Sequence, residues 1–416
     1  MSQLTEHIDT KFDVLYLRSQ FPVLNQEING KKLIYFDNAA TTQKPERVIN
    51  AISAYYSEYN ANIHRGLHSL AERATAAYEN TRLTIKEFIH ADEVEEVIFT
   101  SGTTESINLV SNAFGRKFLN PGDEVIISEL EHHSNIVPWQ MICQERGAKL
   151  KAIPIDGKGD LNIDAFKNLL TEKTKIVAVN HVSNSLGTIN PVKEIIQSAH
   201  ATGAVVLIDG AQASAHLDID VQELDCDFYA FSAHKLYGPT GVGVLYGKRK
   251  LLESMDPYQG GGEMIKEVTI AKTTYSDIPY KFEAGTPNIA DVVAFNEAIN
   301  FVKGLGPKSN ILRYEHSLLD FATEKLKEIP GLTIIGEANK KIGVISFIVD
   351  GLHHFDIGMM LDAKGIAVRT GHHCTQPLMD SYGIDGTVRV SFSIYNTLEE
   401  VSIFVESLRQ IVEKWR

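Results

Sequence analysis

The sequence predicts an α/β fold: a mostly parallel central sheet with helices on both faces, followed by a smaller α+β unit. Three observations carry this. Short runs rich in Val and Ile alternate with helical patterns from Glu96 to Asp209. These runs are apolar at consecutive positions, as strands covered on both faces must be. The alternation stops after Leu252 and resumes from Leu332 in a different mix of strands and helices.

In chain order, residues 1–30 read as an arm with a short amphipathic helix over Phe12–Ser19, packing with the small unit. A short strand from Leu33 runs into D-N-A-A-T-T, Pro45 opens a helix, and a longer helical pattern covers Ser69–Ile89. Strands then fall at Glu96–Thr100, Glu124–Ser128, Leu150–Ile153, Lys175–Asn180 and Ala204–Asp209. Between them lie helices at Thr104–Phe114, Ile136–Arg146, Ile163–Leu170 and Val192–Thr202. Two further apolar runs, Phe228–Phe231 and Val242–Tyr246, flank F-S-A-H-K-L-Y-G-P-T-G. The polar stretch up to F-E-A-G-T-P-N reads as a long surface excursion of the kind kept for a binding loop or a subunit contact. Helices at Ile289–Lys303 and Lys308–Glu328 lead into strands Leu332–Ile335, Val344–Val349, Ala367–Arg369 and Val388–Ser391, with helices Asp356–Lys364 and Leu398–Val412. The expected organisation is an arm (1–30), a large unit (31–298) and a small C-terminal unit (299–416).

Composition narrows the function classes. Of 416 residues, 44% are hydrophobic and 22% charged, as in ordinary globular enzymes, and a net charge of −13 argues against nucleic acid or an anionic membrane as partner. The N-terminus lacks a basic segment followed by an apolar core, and no apolar run approaches the ~18 residues of a membrane span. A cytoplasmic protein is expected. Three widely spaced cysteines make a disulfide framework unexpected. The absence of CxxC, H-E-x-x-H, a P-loop and a dinucleotide fingerprint counts against a catalytic metal or a dinucleotide.

The chemistry gathers at strand ends, where ligands of such sheets bind. Lys235 follows one apolar run and precedes another. Desolvation there lowers a lysine pKa and frees its amine as a nucleophile, although a snorkelling lysine at a strand end has the same pattern. Asp209 ends V-V-L-I-D-G-A-Q. A carboxylate for a pyridinium nitrogen and a lysine for an aldehyde are what pyridoxal 5'-phosphate requires. In S-G-T-T-E-S, Thr103 and Thr104 stand on a strand-to-helix turn suited to a phosphate, or to a plain N-cap. His132 can lie against a pyridine ring, and the Gln212 amide can bond a phenolic oxygen.

A second centre is I-A-V-R-T-G-H-H-C-T-Q-P. Arg369 ends a strand, and Cys374 lies between two histidines and a proline, where Arg and His lower a thiol pKa and produce the nucleophilic thiolate. Cys143 and Cys226 read as buried small hydrophobes. Arg389, in T-V-R-V-S-F, suits a two-pronged grip on a carboxylate, with a structural ion pair as the other reading.

Taken together, F-S-A-H-K, V-L-I-D-G-A-Q, E-H-H-S-N-I-V-P-W, H-V-S-N-S-L-G-T, F-E-A-G-T-P-N and above all R-T-G-H-H-C-T-Q-P resemble the class V aminotransferase family. Within it, they resemble the group II cysteine desulfurases of the SufS type, nearly end to end. The resemblance implies the type I fold of pyridoxal-phosphate transferases and conversion of L-cysteine to L-alanine, with sulfur passing to Cys374 for iron–sulfur cluster assembly. It implies Lys235 bonded to the cofactor, Asp209 and Gln212 on its ring, and His132 stacked over it. It further implies Thr103, Thr104, Ser232 and His234 around the phosphate, with Thr286 reaching in from the second subunit of a homodimer. Asn184 and Arg389 hold the substrate carboxylate on this reading, with Arg369 a further substrate-side candidate. A SufE-type or SufU-type protein is the implied sulfur acceptor. A selenocysteine lyase or another aminotransferase-family activity is the alternative. Ala233, where many relatives have glycine, and Gln259, where some have an acidic residue, depart from the pattern.

Overall fold

The computed structural model describes residues 13–415. Its centre is a seven-stranded sheet of β1 (Val97–Thr100), β2 (Glu124–Ser128), β3 (Lys149–Ile153), β4 (Thr174–Asn180), β5 (Val205–Asp209), β6 (Phe228–Ser232) and β7 (Gly243–Gly247), in the order β1-β7-β6-β5-β4-β2-β3. Neighbours are parallel except β7, which runs antiparallel to both β1 and β6. The consecutive apolar residues have a direct cause. Val177, Val179, Val206, Ile208, Tyr229 and Phe231 enter the core on one face of the sheet, while Ile176, Ala178, Leu207, Phe228 and Ala230 enter the core on the other. The three central strands β4, β5 and β6 therefore bury both of their side-chain rows, while the edge strand β3 buries only Ile153.

The helix Ile289–Gly304 has ten buried residues and is apolar nearly all round. It packs on the helices Glu46–Ala54 and Ser69–Phe88 as an internal helix of the larger core. A second sheet of β8 (Leu332–Ile335), β9 (Val344–Val349), β10 (Arg369–Gly371) and β11 (Thr387–Ser391) has the order β8-β9-β11-β10 and is antiparallel throughout. Its core takes in Leu318, Phe347, Val390 and Phe404, together with Ile34 and Phe36 from early in the chain.

Several expectations shift. The strand read as Ala367–Arg369 is two pieces: Ile366–Ala367 pairs in parallel with Ile34–Tyr35, and Arg369–Gly371 edges the small sheet. The surface excursion contains an antiparallel hairpin, Ile265–Val268 with Thr273–Tyr275, whose tip residue Ile270 is fully exposed. A helix over Gln376–Tyr382, started by Pro377 in its first turn, escaped the sequence reading. The N-terminal helix is described over Val14–Ser19, where Arg18 pairs with Glu400 of the final helix at 2.7 Å. The part of the arm before Asp13 lies outside the described residues.

Candidate active site

The carboxyl ends of β1, β4, β5 and β6 open onto one cavity. It is lined by Thr103, Thr104, His132, Asn184, Asp209, Gln212, Ser232, His234, Lys235, Arg369 and Arg389. These eleven sequence-selected residues, spread over almost three hundred positions, thus meet in one place. Ala39, Ala40, Ser134, Asn180, Val182 and Ala211, to which the sequence assigns no role, also line it, as does His373 beside Cys374.

At one end, Thr103 starts the helix Thr103–Ala113. Amides in the first turn of a helix have no intrahelical acceptor and present positive dipole to an anion. Ser232 Oγ closes this turn onto β6, accepting from Thr103 N at 2.8 Å and lying 2.7 Å from Thr103 Oγ1. The approach demands glycine: a Cβ on Gly243 would lie 2.4 Å from Gly102 Cα.

Lys235 ends a single 3₁₀ turn, Ala233–Lys235, directly after β6. Its ammonium makes no side-chain hydrogen bond or ion pair among the described residues, and burial lowers its pKa to about 8 while Asp209 opposes the shift. Asp209 ends β5, takes a 2.9 Å hydrogen bond from Ala211 N, and has its pKa raised by burial. His132 is held neutral: burial first, and then the Lys235 charge, push its pKa down to about 3. Its Nδ1 accepts from the Ser134 amide at 3.1 Å, which leaves the ring proton on Nε2. Gln212 Nε2 donates to Ala39 O at 2.7 Å.

At the other side, Arg389 is buried and its fork is already engaged. One arm pairs with Asp37 at 2.8 Å and the other donates to Asn184 O at 2.9 Å, leaving Nε as the donor without a partner. The structural ion pair weighed for Arg389 is therefore present. Asn184 Nδ2 donates to His373 O at 2.8 Å, so it also holds the cysteine loop.

Cys374 borders the cavity without lining it. It is half-buried, 3.8 Å from Arg369 through its Sγ, and its amide donates to His372 Nδ1 at 3.1 Å. His373 and Cys374 both adopt left-handed backbone, φ 51° and 59°. Two successive non-glycine residues in that region store strain and require anchoring from outside. By contrast, Cys143 and Cys226 are buried, and burial raises both thiol pKa values, that of Cys143 to about 11.

Thr286 is exposed and does not line the cavity of its own chain. Gln259 donates to Glu105 at 3.2 Å, and Ala233 is fully buried.

The donor set fits pyridoxal 5'-phosphate. It offers helix-start amides and hydroxyls at one end, a carboxylate at the other, an unpaired lysine between them and a neutral imidazole beside them.

Comparison with known proteins agrees. The family profile Aminotransferase class-V matches residues 34–404. A probable cysteine desulfurase of Mycolicibacterium paratuberculosis is 52% identical over 97% of this chain and 58% of its own length. One from Halalkalibacterium halodurans is 49% identical over 95% of this chain and 97% of its own. The chain spans 58–66% of the length of three such relatives. The cysteine desulfurase CsdA of Escherichia coli superimposes with a TM-score of 0.91 at 39% identity, covering 97% of this chain and 100% of that one.

Proposed function

Because the chain belongs to the class V aminotransferase family, we propose that it is a pyridoxal-phosphate cysteine desulfurase that turns L-cysteine into L-alanine. The carrying observation is the pairing of an unpaired, desolvated Lys235 opposite Asp209 with a strained, anchored Cys374 loop at the same cavity.

Pyridoxal phosphate, when bound, supplies an electron sink. Lys235 holds the cofactor and moves protons at the substrate carbons, which its lowered pKa suits near neutral pH. Asp209 would face the ring nitrogen, Gln212 the phenolic oxygen and neutral His132 the ring face. Thr103, Thr104, Ser232 and His234 would receive the phosphate. Asn184, Arg369 and Arg389 orient the substrate carboxylate. The Cys374 thiolate attacks the substrate sulfur. The new S–S bond forms as the substrate C–S bond breaks, and the carbon keeps the electron pair and takes a proton to give alanine. Cys374 is left as a persulfide.

The rest of this reading joins the family resemblance to the sequence pattern. The protein works as a cytoplasmic homodimer in which Thr286 serves the partner's phosphate site, a role its exposure in the single chain leaves open to it. The chain divides into an arm (1–30), a cofactor unit (31–298) and a small unit carrying the cysteine loop (299–416). A SufE-type or SufU-type acceptor removes the sulfur for iron–sulfur assembly, because an anchored loop does not swing out to deliver it. No helix among the described residues is long and apolar enough to cross a membrane.

The test is incubation with L-cysteine, with alanine quantified and Cys374 examined by intact-protein mass spectrometry. Alanine formation with one added sulfur atom on Cys374 is expected. No alanine from cofactor-loaded protein would overturn the reading.

A further inference from the structure

Lys44 brings its amine into the protein with no carboxylate among the described residues to meet it, and burial lowers its pKa to about 7. Its ammonium instead donates to Thr41 Oγ1 at 3.1 Å, to His234 O at 2.9 Å and to Thr42 O. All three of its hydrogens are thereby used. Such a side chain costs stability unless it does something else for the fold or the site.

The His234 carbonyl is oversupplied. Lys44 Nζ, Thr42 N at 3.2 Å, Thr42 Oγ1 at 3.2 Å and Thr41 Oγ1 at 3.0 Å all point at it. Four donors compete for two lone pairs. Thr41 is the one with another place to go, since its hydroxyl lies 3.2 Å from His234 Nδ1. A hydroxyl has a single proton. With Lys44 donating into Thr41 Oγ1 and also occupying the carbonyl, that proton turns to Nδ1.

We propose that Lys44 and Thr41 form a positioning relay that sets the ring tautomer of His234, placing its proton on Nε2 as a donor into the phosphate end of the cavity. The inference rests on the cofactor reading above and adds two residues that do not touch the cofactor. The ring stays neutral, because burial first, and then the Lys235 and Lys44 charges, lower its pKa to about 4. A neutral imidazole offers either a donor or a lone pair toward the cavity, and an anion tolerates only the donor. Without Lys44 the Thr41 hydroxyl returns to the His234 carbonyl, Nδ1 takes the ring proton, and the Nε2 lone pair faces the phosphate.

The tautomer is read on apoprotein labelled with ¹⁵N-histidine, from long-range ¹H–¹⁵N spectra, with the His234 signals assigned by their loss in His234→Asn. Wild type is expected in the Nε2–H form, and Thr41→Val and Lys44→Met in the Nδ1–H form. Thr41→Ser, which restores the hydroxyl, returns to the wild-type form and controls for misfolding. In parallel, the Kd of pyridoxal phosphate for the apoprotein rises roughly 10-fold in each single variant, the scale of one lost charge-assisted hydrogen bond. It rises by about the same factor in the double variant, because both residues act through one proton. An Nδ1–H wild type, an unchanged tautomer in both variants, or losses that multiply in the double variant would overturn the relay. Wild-type apoprotein that fails to bind the cofactor would overturn the cofactor reading instead, and leaves the tautomer measurement standing.

Discussion

The Lys235 turn and the Cys374 loop border the same cavity and are held by opposite means. Lys235 follows β6, every residue of which is buried, so its place is set by apolar packing on both faces of the sheet. The Cys374 loop has no such strand behind it. It is stitched by polar contacts: His133 N to Cys374 O at 2.8 Å, Gln376 N to His133 Nε2 at 3.1 Å, Asn184 Nδ2 to His373 O at 2.8 Å, Ser185 Oγ to Thr375 Oγ1 at 2.6 Å, and His373 Nε2 to Thr387 Oγ1 at 2.8 Å. These contacts hold two left-handed residues in place. The difference suits the tasks. A cofactor needs an unmoving frame, while a thiol that meets both the substrate and an outside acceptor sits on a half-exposed loop whose position is tuned by single hydrogen bonds.

The sharpest way to break this comparison is to remove the reactive atoms. Lys235→Ala and Cys374→Ala should each lower alanine formation by on the order of 10³-fold or more, the scale of losing an acid–base or nucleophilic group. They should separate spectroscopically. Cys374→Ala keeps the visible absorption of lysine-bound cofactor, and Lys235→Ala loses it. Equal spectra would mean that the two regions are not divided between cofactor and sulfur.

Arg389→Lys tests the bridge between the regions. An ammonium cannot span both Asp37 and the Asn184 carbonyl as the guanidinium does. KM for L-cysteine should rise about 10-fold or more with cofactor affinity nearly unchanged. A changed cofactor Kd with unaltered KM would move Arg389 from the substrate side to the cofactor side.

The lysine also predicts a pH dependence. Its amine is the reactive form, and burial brings its pKa to about 8. The rate at which apoprotein captures cofactor should therefore rise with pH up to about 8 and then level off. The sign for folding is the same. Between the folded value and the unfolded lysine value of about 10.4 the unfolded chain binds more protons, so apoprotein stability rises with pH across that window. Denaturant titrations of Lys235→Met, which has no proton to lose, should show less of that rise than wild type.

The smallest effect belongs to a single stitch. Ser185→Ala removes the contact to Thr375 Oγ1 and leaves the Thr375 hydroxyl on His372 O at 2.9 Å, and should cost roughly 1 kcal/mol or less. We expect a few-fold lower rate of sulfur transfer, cofactor affinity unchanged, and faster amide exchange confined to residues 372–376. An equal loss of cofactor affinity would show that the loop and the lysine turn are mechanically one piece.

The sequence alone was sufficient for the two-sided sheet, because burial on both faces imposes consecutive apolar residues whatever the tertiary detail. Asp209 and Lys235 could be found for the same reason, being polar groups at the ends of such runs. Cys374 could be found because its neighbours are polar and two of the three cysteines sit in apolar surroundings. Tertiary structure decided the rest. Asp37 meets Arg389 across 352 residues, and Thr41 and Lys44 meet His234 across 193 and 190. Asn184 and Ser185 clamp the cysteine loop from 189 and 190 positions away. No periodicity encodes such contacts, since a side-chain hydrogen bond depends on which loops the packed core brings within about 3 Å of each other, and that distance is set only once the chain has closed.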